Sequence, residues 1–373
     1  MKKYAVVLAV VVLFIFASKI GVFAKDIIWD DIGRGNLNLR TVLINPDNPQ
    51  IIYIGSSNAI IKSEDGGVSW RNILSVKGQN KAVNFLLFEP KEKKFLYAAT
   101  GNGLFYSFDY GKNWSRIFKG KSYLENECTT LAVLSDEIYL GTKGGLFVSK
   151  DRGRSWHKET ASLGNSYILA IVYNLREPNY IYVACVDGVF KTKDKSESWE
   201  RIFTAHRAED GFETEEETED QDEQERFSGI RYISCDPNNL NCLYVATSKG
   251  INRSCDRGQN WESVSSYGLL NRDVKFLLFS NRANLYAITK SGVFEYRVGR
   301  WQELSFGLAA GEVRFLALDN QNNLYAACDK GLFKASVVYS NDDGGGNIIS
   351  LYYKDEPKIN EVQQAAIKYA EVE

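Results

Sequence analysis

Downstream of residue 25 the apolar residues fall in short runs. Val83-Asn-Phe-Leu-Leu-Phe-Glu-Pro90 is of strand length and ends on a turn residue. Phe95-Leu-Tyr-Ala-Ala-Thr100 follows, and Gly103-Leu-Phe-Tyr-Ser107 opens on glycine. A fourth run carries a Trp. Such runs, rich in Tyr, Phe, Val and Ile and punctuated by Gly, Asn and Asp, predict four antiparallel strands per unit. No helical periodicity interrupts them before residue 355.

The unit repeats. Trp stands at 29, 70, 114, 156, 199, 261 and 301, so successive spacings are 41, 44, 42, 43, 62 and 40. A period near 42 residues with one long exception is that of propeller blades. Six of the seven Trp are followed by an apolar fourth residue, as in Trp114-Ser-Arg-Ile117 and Trp199-Glu-Arg-Ile202. Ahead of the Trp runs Ser-x-Asp-x-Gly-x-x-Trp. It is intact at Ser63, Asp65, Gly67, Trp70; at Ser107, Asp109, Gly111, Trp114; at Ser149, Asp151, Gly153, Trp156; and at Ser254, Asp256, Gly258, Trp261. Thr192, Asp194, Ser196 and Trp199 make a degraded copy. The carboxylate suits a tight hairpin whose backbone N–H groups it accepts. The Gly permits positive φ, and the ring is buried between sheets. The same acid in many equivalent places is structural rather than catalytic.

These residues resemble the Asp-box (BNR-type) repeat of photosystem II assembly-factor-like and sialidase-like propellers, over essentially residues 26–340. The expected fold is all-β: a seven-bladed β-propeller of four-stranded antiparallel blades. Trp29 has no three strands before it, and the last repeat lacks its Trp strand. Residues 27–32 therefore complete the last blade and close the ring, which removes exposed sheet edges. The rival closure uses residues 348–353, a segment that could also add as a fifth strand.

The termini lie outside the repeats. Lys2 and Lys3 precede an unbroken apolar run over residues 4–17, too short for a comfortable membrane span of about 20 residues. Val22-Phe23-Ala24 suits signal peptidase. Residues 1–24 read as a signal peptide, with an uncleaved anchor as the alternative. The expected product is exported, periplasmic or extracellular, with no membrane span after cleavage. The propeller occupies residues 25–340. Residues 341–357 read as a linker, and residues 358–373 as a helix with Ile359, Val362, Ala366, Tyr369 and Ala370 on one face. Three readings of that helix stand: packing on the propeller, docking elsewhere, or the start of a further domain.

Composition narrows the chemistry. Lys+Arg number 45 and Asp+Glu 47, a balance unlike that of a general nucleic-acid binder. The only histidines, His157 and His206, have no metal-ligand spacing, and no cofactor or metal is expected. Six cysteines include no CxxC pair, which removes thioredoxin-like chemistry and zinc ribbons. Cys235 and Cys242 flank a turn and read either as free thiols or as a cross-strand disulfide.

Two features fall on the propeller face opposite the Asp boxes. The long Trp spacing contains an insertion, residues 206–227, with eleven acidic residues in 209–225. Such a block cannot bury itself. It reads as a solvated loop, a partner-binding arm or a loose Ca²⁺ site, though it lacks Ca²⁺-loop spacing. Aligning the seven first strands places Arg40, Asn84, Thr130, Ile168, Arg231, Lys275 and Arg314 at equivalent positions. The four cations belong to contiguous blades near the channel mouth. They either pair with neighbouring acids or hold an anionic ligand or acidic peptide. The assembly-factor resemblance implies an arginine-rich surface for a protein partner. The expected function is recognition or assembly of a protein partner in the envelope, without catalysis. The alternative is glycan binding or hydrolysis. Sialidase chemistry needs an arginine triad, an acid/base Asp and a Tyr nucleophile. Arg40, Arg231 and Arg314 could imitate the triad, but Asn38-Leu39-Arg40-Thr41 stands where the family has Phe-Arg-Ile-Pro.

Overall fold

The computed structural model describes residues 25–339 apart from 34, 36, 175, 195, 205–228, 306 and 309–310. The expected signal peptide, linker, C-terminal helix and rival strand at 348–353, and the acidic insertion, lie outside the described residues. Residues 28–336 form one compact unit; the described residues outside it, 25–27 and 337–339, are strand.

Seven four-stranded antiparallel sheets make the blades. Blades 1 to 6 span 41–75, 83–118, 128–159, 168–203, 230–263 and 274–303, each in chain order. Blade 7 takes three strands from Val313–Leu318, Leu324–Cys328 and Gly331–Tyr339, and its fourth is the N-terminal strand Lys25–Asp31. The N-terminal closure is thus the observed one. Trp29 is buried, its indole N–H donating to the Leu304 carbonyl of blade 6. First strands of successive blades approach one another and surround the axis. Among the described residues one short helix, α1 (Tyr123–Asn126), interrupts the β-structure.

The Asp boxes show why their residues recur. Ser149 Oγ donates to Asp151 Oδ1 at 2.8 Å and accepts from Gly153 N at 2.7 Å, while Asp151 accepts from Ser155 N at 2.8 Å. The degraded copy keeps this network: Thr192 Oγ1 donates to Asp194, and Ser196 takes the Gly position at φ 70°. Where the next blade keeps the box Gly, the Ile three positions after the Trp packs beneath that Gly. A Cβ on Gly258 would lie 2.6 Å from Ile202 Cδ1, and one on Gly111 2.8 Å from Ile73 Cδ1. Trp156 and Trp261 also donate to the carbonyls of Ile117 and Ile202 one blade back. Blade 6 lacks the box and turns through Val298-Gly299, both at positive φ, the two-residue hairpin that matches strand twist.

A second repeat runs through the second strands: Tyr53, Tyr97, Tyr139, Tyr182, Tyr244, Tyr286 and Tyr325 occupy one position in all seven blades. Tyr53 Oη reaches the Tyr110 carbonyl in the next blade's Asp box at 3.0 Å. Burial raises the pKa of all seven.

The disulfide joins Cys242 to Cys255, and Cys235 is free. Neither alternative for Cys235 and Cys242 holds in full, and strand register explains why. Leu243 pairs with Ser254, so Cys242 and Cys255 lie opposite each other, whereas Cys235 faces Leu243. His157 is the first residue of the strand His157–Glu159.

Candidate functional site: the mouth of the channel

The turns between second and third strands share a face with the segments that lead into the first strands. Lys143 N donates to the Glu127 carbonyl, Val186 N to Tyr167 and Asp329 N to Glu312. Here the first strands of blades 2 to 7 begin with an irregularity. The ladder skips one residue between Val83 and Phe85, Cys128 and Thr130, Ile168 and Ala170, Ile230 and Tyr232, Val274 and Phe276, and Val313 and Phe315. In blade 1 Thr41 pairs with Gly55, whose carbonyl also accepts from Arg40 N at 2.9 Å. A bulge frees one residue from the ladder and re-aims its side chain. The freed residues are Asn84, Thr129, Leu169, Arg231, Lys275 and Arg314, with Arg40 their counterpart. Residue alignment misplaced two of the seven by one position: Thr129 and Leu169 stand there, and Thr130 and Ile168 are buried.

The bulge residues reach across the seams between blades. Arg40 Nε donates to Asn84 Oδ1 at 3.0 Å, and Asn84 Nδ2 to the Cys128 carbonyl at 2.7 Å. Thr129 Oγ1 donates to the Ile168 carbonyl at 2.7 Å. Arg231 Nε meets Asp273 Oδ1 at 3.0 Å, and Lys275 Nζ takes Asp273 Oδ2 at 2.7 Å. Arg314 pairs with Glu312 at 3.2 Å and bonds Asn38.

The four predicted cations therefore divide. Arg231, whose side chain is 8% exposed, shares Asp273 with Lys275. Burial alone would raise the Asp273 pKa, but hydrogen bonds from Lys275 and Arg231 bring it below its usual value. Arg314 keeps a mostly exposed partner in Glu312. Arg40 is solvent-accessible and makes no ion pair among the described residues. Crowding by protein lowers its pKa, and the adjacent Arg314 adds to this. Arg40 and Arg314, from blades 1 and 7, are thus neighbouring cations, with Glu312 paired to Arg314 and the charges of Glu312 and Glu127 also felt at Arg40.

One residue further along the strands, aromatic rings close the floor. Phe85 of blade 2 touches Phe315 of blade 7 across blade 1, with centroids 5.9 Å apart. Phe315 meets Phe276 at 4.8 Å, and Phe276 meets Tyr232 at 4.4 Å. Glu127, whose charge is also felt at Arg40, pairs with Lys143 at 2.9 Å, and Lys143 lies over the Tyr167 ring.

Sequence reasoning missed Asn38, Asp273 and Glu312. Their signal was present: each stands two residues before a cation, as in Asp273-Val274-Lys275 and Glu312-Val313-Arg314, and residues two apart share a strand face. Among the described residues no cluster of three His, Cys, Asp or Glu could hold a metal, and no helix is long and apolar enough to cross a membrane.

The BNR-Asp box repeat matches residues 146–160, and the BNR/Asp-box repeat matches residues 105–116. No curated protein sequence matches. Among solved structures, the extracellular domain of the one component system BT4673 from B. thetaiotaomicron is similar at TM-score 0.63 and 17% identity, over 84% of this chain and 40% of that one. The GH74 xyloglucanase from Xanthomonas campestris matches at TM-score 0.60 and 15% identity, over 79% of this chain and 51% of that one. YCF48 bound to D1 peptide matches at TM-score 0.60 and 14% identity, over 85% and 97% of the respective chains. This chain thus spans about two fifths of the first structure and half of the xyloglucanase. The GH74 enzymes correct the expectation of a protein without catalysis: glycoside hydrolases share this fold, so the fold gives no ground for excluding one here. The chain carries BNR/Asp-box repeats on a seven-bladed β-propeller, similar in fold to YCF48 and to sialidase-type propellers.

Proposed function

We propose that the protein is an exported propeller that binds a carboxylated glycan at the channel mouth. Export rests on the leader pattern of residues 1–24. The observation that carries the site is the neighbouring Arg40 and Arg314, of which Arg40 is exposed and makes no ion pair among the described residues. Each is oriented by a neighbour, Arg40 through Asn84 and Arg314 through Asn38 and Glu312. A guanidinium has five N–H donors in a planar fork that matches a carboxylate, so most donors of Arg40 remain for a ligand. The aromatic floor beneath suits the apolar face of a sugar ring. Likeness to GH74 enzymes supports a glycan as the ligand.

A second reading is an acidic segment of a protein partner in the envelope. It is favoured by the likeness to YCF48 with a bound peptide over nearly the full length of both chains.

Calorimetric titration of the mature chain with a galacturonate disaccharide and with an acidic peptide separates the two. Saccharide binding that disappears in Arg40→Ala/Arg314→Ala, with no peptide binding, is the expected result. Arginine-dependent peptide binding alone establishes the second reading, and binding of neither ligand overturns both. New reducing ends on incubation with oligosaccharides read turnover directly.

A further inference from the structure

The geometry points to a long, linear polyanionic glycan lying across the mouth face, with Tyr123 and Tyr267 as stacking platforms for its outer sugar rings. This rests on the glycan reading above and extends it to the length of the ligand and to residues outside the arginine pair.

The platforms are exposed side chains on fixed loops. Tyr123 is 55% exposed and Tyr267 72%, and each has an exposed Leu beside it, Leu124 and Leu270. Tyr123 opens α1, which the Ser122–Glu125 capping box fixes and which Glu125 ties to Lys158 at 2.9 Å. Tyr267 sits in a turn held against blade 6: Trp301 N donates to the Tyr267 carbonyl at 2.8 Å, and Trp301 Nε1 to the Ser265 carbonyl at 2.9 Å. Gly268 lets that turn close on Trp301, because a Cβ there would come within 2.1 Å of the Trp301 carbonyl. Rings held this way are presented at little cost in conformational entropy.

Their placement fits one chain-like ligand. Tyr123 lies in the connection from blade 2 to blade 3 and Tyr267 in that from blade 5 to blade 6. The Arg40–Arg314 seam between blades 7 and 1 is two blade steps from each. A cation accompanies each platform: Lys121 and Arg272 are exposed and make no ion pair among the described residues. A polyuronate offers both complements, apolar ring faces for tyrosine and a carboxylate on each sugar. An extended peptide would draw on free backbone groups, but the amides of Gly101, Lys143, Val186, Ser248 and Asp329 on this face already bond neighbouring loops.

The test compares galacturonate oligomers of two and eight units, titrated calorimetrically into the mature chain and into Tyr123→Ala and Tyr267→Ala. The octamer should bind more tightly than the dimer. Each tyrosine variant should weaken octamer binding about fivefold to tenfold and leave the dimer unchanged, and Tyr→Phe at the same positions should restore it. Equal affinity for the two lengths, or no loss in either alanine variant, overturns the inference. So does a poly-glutamate of equal charge showing the same dependence on both tyrosines. Length-independent binding that still needs Arg40 and Arg314 removes the platforms and leaves the proposed function standing; binding of neither oligomer removes both.

Discussion

Arg40 and Arg231 hold equivalent positions in two blades and carry the same charge, yet their surroundings give them different tasks. Arg231 is enclosed and shares Asp273 with Lys275. Its loss strips a partner from a largely buried carboxylate, so Arg231→Ala should lower stability by roughly 1–3 kcal/mol. Among the described residues Arg40 has one side-chain partner, Asn84, and it neighbours Arg314. Arg40→Ala should therefore stay within about 0.5 kcal/mol of the parent. Denaturant melts of the two variants check the contrast, and equal losses would return Arg40 to a purely structural role. The sequence showed which cations share a strand position, because the Pro, Asp or Asn after each first strand sets a common origin. It did not show which are neutralised. That depends on acids two residues earlier and on the next blade, and the bulge that brings them together leaves no residue signature of its own.

At the scale of the element, the Asp-box turn was legible because its geometry demands particular side chains. The Gly needs positive φ, the Ser and Asp satisfy the turn's amides, and the Ile after the previous Trp fills the space under the Gly. Gly258→Ala places a methyl against Ile202 at φ 93° and should cost about 1–3 kcal/mol, read as a lower midpoint in urea. An unchanged midpoint would show that the turn yields freely. The carboxylates add a pH dependence. Hydrogen bonds from Ser69, from Ser155, from Ser198 and from the Asn260 amide lead the causes that hold Asp65, Asp151, Asp194 and Asp256 at about 2. A depressed carboxylate stabilises the fold above its ordinary value near 3.8 and loses that contribution as pH falls toward 2. The melting temperature should be level down to about pH 4 and fall below it, with a shallower fall in Asp151→Asn. The tyrosine position, equally regular, escaped notice because Tyr is common in every strand of this chain, and only the sheet register shows that seven of the 21 are equivalent.

For the whole molecule, ring closure depends on the chain's two ends meeting in blade 7. This was legible from a Trp strand with no strands before it and a last repeat with none after. Lys25–Asp31 lies along Gly331–Tyr339, Trp29 reaches blade 6 through Leu304, and Ile32 N donates to the Leu332 carbonyl. Blade 1 packs on blade 7 through a shared core of Leu39, Val42, Ile54, Tyr325 and Ala327. An open ring would leave blade 7 with a bare edge and the pocket of Trp29 empty. Because every blade leans on two neighbours, the loss should spread beyond blade 7. Deletion of residues 25–34 should lower the melting temperature of the whole protein in one transition; a parent-like midpoint would refute this closure. The tyrosine ring extends the same cooperativity to alkaline pH. Burial raises all seven phenols above their ordinary value of 10.0. A raised pKa favours the folded state's neutral form, so the contribution is complete below pH 10 and is lost as pH rises beyond it and the unfolded chain ionises. Tyrosinate absorbance and loss of β-structure should therefore rise together above pH 10, in a single step common to all blades. Tyrosinate forming well before any loss of β-structure would show that these phenols reach solvent in the closed ring.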